Sequence, residues 1–148
     1  MLTLESTLEE WQTDCKIDEN NLVRSTVEIA KLHAKYLQVL SINKLQLKKS
    51  QMRQQTLLLE KWKYYNGKLS QDEIEAHGWE YDPFNGIKVI KGDMNRYYDA
   101  DIDIQKSEEK IAYYKTFVET LSEIVENLKW KHQSIGNIIK WKQFEAGG

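Results

Sequence analysis

The stretch from Ile104 to Lys142, IQKSEEKIAYYKTFVETLSEIVENLKWKHQSIGNIIKWK, decides how the chain is read. Its apolar residues recur at alternating steps of three and four. One column holds Ile104, Ile111, Val118, Val125, His132 and Ile139. The column three residues on holds Ser107, Tyr114, Leu121, Leu128, Ile135 and Lys142, and Phe117, Ile124 and Ile138 widen the stripe on one flank. This is a heptad pattern. With no proline and only Gly136 inside it, the run predicts a helix of roughly 40 residues, about 60 Å long at 1.5 Å per residue. Such a helix is not stable alone in water, so its stripe must be covered by another long helix of the chain, by copies of itself, or by both. The stripe is wider than one partner helix covers, which predicts oligomerisation through Val118, Leu121, Val125, Leu128 and Ile135.

Outward from this helix, the chain of 148 residues reads as one domain, with 30% charged residues and a single proline, a composition suited to long solvated helices. Thr3 to Gln12 predicts a short amphipathic helix with Leu4, Leu8 and Trp11 on one face. Asp18 is the expected cap of a second helix that runs to Tyr65 without proline or glycine, about 45 residues and about 70 Å. Leu22, Ile29 and Tyr36 form one column of it, and Thr26, His33, Leu40 and Leu47 the next. Its second half is polar and basic, with little to bury. An Asn66-Gly67 terminator follows. Residues 66–98 carry Gly67, Gly78, Gly86, Gly92 and Pro83 and read as an irregular connection, with Ile87 to Ile90 as a short strand and Met94 to Tyr98 as a helical turn capped by Asp93. Trp79, Tyr81 and Phe84 are expected to tuck this connection against the long helices. The fold class predicted is all-α: an N-terminal helix within 1–20, a long basic helix at 21–65, the connection at 66–98 and the oligomerising helix at 99–145, arranged as an αα-hairpin.

The net charge of −2 conceals a strong segregation. Residues 1–20 hold six acids and one base, residues 21–68 ten bases and two acids, and residues 69–110 eleven acids and five bases. A polyanion would meet the basic segment. There, Lys48, Lys49 and Arg53 sit among glutamines and lead into Lys61, Trp62, Lys63, Tyr64, Tyr65 and Lys68. Bases for phosphates beside rings for unpaired nucleobases suit a single strand. The competing reading is a solvated helix face followed by aromatic core residues, and both stay open at this point.

Chemistry is conspicuous by its absence. The chain has no phosphate-binding glycine loop, no H-E-x-x-H, no cysteine pair and no nucleophile elbow. Cys15 is the lone cysteine, read as a small half-buried residue in a reducing compartment. His33, His77 and His132 lie far apart, and His132 occupies a heptad core column. Asp99, Asp101 and Asp103 resemble the start of a calcium loop, but Ile104 stands where glycine is needed and Lys110 where a bidentate glutamate is needed. The aspartates are therefore assigned to helix capping, with no metal, no cofactor and no enzyme activity expected. The acidic N-terminus and the lack of a long apolar run predict a soluble intracellular protein.

Several stretches in order resemble one known family. They are Asp14-Cys15-Lys16-Ile17-Asp18 with Leu22, Lys35-Tyr36-Leu37, Lys61-Trp62-Lys63-Tyr64-Tyr65-Asn66-Gly67, Ala100-Asp101-Ile102-Asp103 and Phe144-Glu145-Ala146-Gly147. Together they resemble the UvsY-type recombination mediators of T4-like phages over nearly the whole chain. That resemblance implies a non-enzymatic, ring-like homo-oligomer in the cytoplasm of the infected bacterial host. It further implies binding to single-stranded DNA and loading of a RecA-like phage recombinase onto strands covered by the phage single-stranded-DNA-binding protein. The family's DNA-binding bases precede the Tyr-Tyr-x-Gly element. Lys61 matches one of them and Leu59 stands at the other, so Lys63 or the Lys48, Lys49 and Arg53 group is expected to compensate. The rival from another class is a helical assembly protein, such as a virion scaffold, that does not bind DNA; an enzyme using the aspartate cluster ranks last.

Overall fold

In a computed structural model, residues 2–87 and 89–147 are described. They form five α-helices: α1 Leu4–Asp14, α2 Leu22–Tyr65, α3 Gln71–His77, α4 Met94–Ala100 and α5 Ile102–Glu145. A single 3₁₀ turn, Lys91–Asp93, precedes α4, and no strand occurs among the described residues. The long helix pair predicted from the heptads is present, α2 and α5 each having 44 residues. The chain divides into two compact units. One joins the residues up to Gln46 with those from Tyr114 onward, and the other is Leu47–Tyr113.

The first unit holds the apolar core. Ile29, Tyr36 and Leu40 of α2 meet Phe117, Leu121, Ile124, Val125, Leu128 and Ile135 of α5, and Leu4, Trp11 and Ile17 pack against them. Each fully buried large side chain contributes about 1.5–3 kcal/mol by leaving water. Leu121, Leu128 and Ile135 are at most 1% exposed inside a single chain. They and Val125 are core residues within the chain, where an oligomer interface was expected; Val118 packs half-buried against the same core. Leu4 and Trp11 of α1 add to the cover that α2 gives this stripe. The face of α1 is also corrected. Thr7 is buried between Leu4 and Trp11, while Leu8 is 42% exposed. His132, placed by its column in the core, is exposed and lines a cleft of about 340 Å³ with His33, Ile29 and Leu128.

Caps explain where the helices start. Thr3 and Ser6 form a reciprocal capping box on α1. At α2, the Asn21 side chain accepts the Arg24 amide at 3.1 Å, so Asn21 is the cap. Asp18, expected there, instead accepts the Asn20 amide at 2.9 Å and shapes the turn before it. Asp101 starts α5 by accepting the Ile104 amide at 3.0 Å.

The second unit departs furthest from expectation. The connection contains α3, whose start is a Ser70-x-x-Glu73 cap: the Glu73 amide donates to Ser70 Oγ at 3.2 Å. It ends at Gly78, where φ is +73°, and buries Ile74. Of Ile87 to Ile90, read as a strand, Lys88 lies outside the described residues and the other three are not in a strand. The turn at Met94 extends to Ala100, and Asp93 makes no side-chain cap. The second half of α2 buries more than its composition suggests. The column Leu22, Ile29, Tyr36 continues in steps of seven through Asn43, Ser50 and Leu57 to Tyr64, and Asn43, Ser50 and Tyr64 are buried.

Candidate nucleic-acid interface

Within the second unit, the last two turns of α2 bring opposite kinds of residue to opposite sides. Lys61 and Tyr64 face inward. The Lys61 ammonium lies 3.0 Å from Asp101 and 2.9 Å from Asp103, and its side chain is 4% exposed. It also sits 3.9 Å above the Trp79 ring and 5.4 Å from the Tyr64 ring. An ammonium so enclosed cannot meet a phosphate without breaking two ion pairs. Lys61, expected at DNA, is held inside this unit by the Asp101 and Asp103 carboxylates.

Tyr64 and Tyr65, also expected at DNA, likewise contact other parts of this unit. The Tyr64 hydroxyl donates to the Glu80 carbonyl, and its ring lies 5.0 Å from Trp79. The Tyr65 hydroxyl donates to Asp101 at 2.6 Å, and its ring is flanked by Phe84 at 5.6 Å and Tyr98 at 5.6 Å. Burial pushes both phenols above their usual range, and Asp101 adds to the shift, so both remain donors. These rings are occupied by the protein. Trp79 and Phe84 tuck in as expected, whereas Tyr81 is 62% exposed.

Burial alone would raise the Asp101 carboxyl. The Tyr65 hydroxyl, the Ile104 amide and Lys61 together outweigh that and hold it below its ordinary value of 3.8. A carboxyl whose folded pKa lies below its unfolded one adds stability that is complete above the unfolded value and is lost as pH falls through the folded one. Thermal melts from pH 7 down to pH 3 should show the unaltered protein losing stability below about pH 5, with Asp101→Asn less stable at neutrality and flatter in its dependence. Parallel curves would remove Asp101 from the acid-sensitive set.

The outward side is different. Lys48, Lys49, Arg53, Lys63 and Lys68 are all exposed, and none forms an ion pair among the described residues. Met52 and Leu59 stand between them, 57% and 54% exposed. Trp62, also 48% exposed, forms one wall of a cleft of about 480 Å³ with Asn66, Lys91, Met94, Asn95 and Tyr98. Sequence reasoning missed Lys91 and Asn95, since only folding of the connection carries them to α2. The helix ends here because Gly67 takes φ +67°, letting the Lys68 amide reach the Lys63 carbonyl at 2.7 Å.

Residues 10–148 match the family model described as recombination, repair and ssDNA binding protein UvsY. The chain belongs to the UvsY family. The role of UvsY proteins in recombination and repair is thereby set for this chain at the level of the family. Solved structures agree on the fold. The bacteriophage T4 recombination mediator protein UvsY in lattice type II superposes with a TM-score of 0.82 at 23% identity, covering 99% of each chain. Its lattice type IV and type I structures give 0.77 at 20% and 22% identity; they cover 97% and 93% of this chain and 99% and 97% of theirs. No curated protein matches. Against this UvsY background, no group of three metal-ligating side chains occurs among the described residues, and no described helix is long and apolar enough to cross a membrane.

Proposed function

We propose that this protein is a recombination mediator that binds single-stranded DNA and helps a RecA-like recombinase displace the single-stranded-DNA-binding protein. The observation that carries the reading is the set of five exposed bases Lys48, Lys49, Arg53, Lys63 and Lys68, none of them ion-paired among the described residues, in one unit of a UvsY-family chain. Cations without carboxylate partners hold a phosphate chain at no cost in broken ion pairs, and the DNA site moves to them from Lys61, Tyr64 and Tyr65. Buried Lys61 and Tyr64, with half-buried Tyr65, fix the helix end that carries Lys63 and Lys68. A mediator of this kind needs no bond chemistry. It needs many weak sites held together, and a ring-like homo-oligomer multiplies avidity without new contacts. With the heptad stripe consumed inside the chain, assembly falls to side chains that remain exposed in the first unit, such as Val23 on α2 and Trp130 and Trp141 on α5.

Titration of a labelled single strand at several salt concentrations tests the reading. Each phosphate contact contributes a slope of about −0.7 in log affinity against log salt. Lys49→Ala with Arg53→Ala should flatten the slope by about 1.4 per subunit and weaken binding, while helicity and oligomer mass stay unchanged. A parent protein that binds no single strand would instead support a helical assembly role. A double variant with unaltered affinity and slope would make the five bases a solvated face.

A further inference from the structure

We propose that the cleft beside Trp62 seats one unstacked base of a single DNA strand, with the indole as its stacking surface and Lys91 at an adjacent phosphate. This rests on the single-strand reading above and names a site within it. Three observations converge. Trp62 is the one ring of the Trp62, Tyr64, Tyr65 group that contacts no other described aromatic ring, and it is 48% exposed at the rigid end of α2. The cleft it borders, about 480 Å³, lies within the roughly 300–1,000 Å³ typical of small-molecule sites. Its polar groups suit a nucleotide. Asn66 Nδ2 is spent on the Trp62 carbonyl at 2.7 Å and on the Tyr98 hydroxyl at 3.4 Å, which leaves its Oδ1 as an acceptor. The Asn95 amide and the Lys91 ammonium have no side-chain partner among the described residues. An aromatic face, an amide with donor and acceptor, and one free cation complement a base's π-face, its hydrogen-bonding edge and its phosphate respectively.

The cleft also explains a division of labour. The exposed lysines of α2 can track the backbone of any strand, duplex included, whereas a base can enter the cleft only when it is unpaired. Preference for a single strand would then reside in Trp62.

Two end-labelled oligonucleotides of equal length, one of thymidines and one wholly abasic, separate the contributions in anisotropy titrations with the full chain. Trp62→Ala should weaken the thymidine strand roughly tenfold per seated base, leaving the abasic strand and the salt slope unaffected. Trp62→Phe should recover most of the loss, and Lys91→Ala should weaken both strands and flatten the slope. The site is overturned if Trp62→Ala, still helical by circular dichroism, binds thymidines as the parent does or weakens both strands alike, as a role for Trp62 in contacts between copies of the chain would predict. A parent that binds neither strand sinks the single-strand reading itself, a result distinct from either.

Discussion

Leu121→Asp combined with Leu128→Asp is expected to unfold the first unit, and not to release folded protomers from an assembly. Both side chains are completely enclosed, at 0% and 1% exposure, among Tyr36, Leu40, Phe117 and Ile124. Truncating either leucine to alanine costs about 2–5 kcal/mol through lost transfer energy and the cavity left behind. Aspartate adds the desolvation of a carboxylate with no cationic partner in that cluster. Two such losses exceed much of the roughly 5–15 kcal/mol that keeps a domain folded. Circular dichroism should show a large loss of helical signal at 25 °C, and Leu121→Ala alone should retain helicity but melt at a markedly lower temperature. If the double variant keeps its helicity and a cooperative melt while sedimenting as a smaller species, Leu121 and Leu128 face another subunit after all.

Lys61→Ala is the second large effect. Removing the ammonium leaves the buried Asp101 carboxylate with the Tyr65 hydroxyl and the Ile104 amide but no counter-charge, and opens a gap under Trp79. Breaking a buried pair on one side costs roughly 3–5 kcal/mol. The Asp103 side chain, 45% exposed, contributes little because water already screens it. Lys61→Met with Asp101→Asn removes both charges while keeping volume and the cap, and should recover part of the loss. Single-strand affinity should follow the fraction folded, so that Lys61→Ala stabilised by low temperature binds with the parent's salt slope. A variant with the parent's melting temperature but a flatter slope would return Lys61 to the phosphate-contacting set.

These three residues mark the difference between what was legible in the chain and what was not. The three-and-four spacing of α5, the unbroken run of α2 and the Asn66-Gly67 stop are local properties, because helical periodicity and capping depend on neighbours within one turn. They determined an all-α chain with two long helices. Even α3 was written in Ser70-x-x-Glu73 and Gly78; the glycine content of the connection obscured it. The basic character of residues 21–68 was likewise plain.

Which lysine faces outward was not. Lys61 and Lys63 have the same side chain two positions apart, and residues two apart in a helix point in widely different directions. Only the folding of Trp79 and Asp101 onto α2, from 18 and 40 residues further along, buries one and leaves the other in water. The same holds for the apolar stripe, since a heptad column specifies that a face must be covered but not by what. Tyr36, whose hydroxyl donates to Asp14 at 2.7 Å, and Trp11, whose ring meets that tyrosine edge-on at 5.5 Å, come from α2 and from α1 with its neighbouring turn to help cover it. Spacing along the chain determined the helices and their amphipathic faces. Contacts between residues far apart in sequence decided which charges, rings and leucines remain available to a partner.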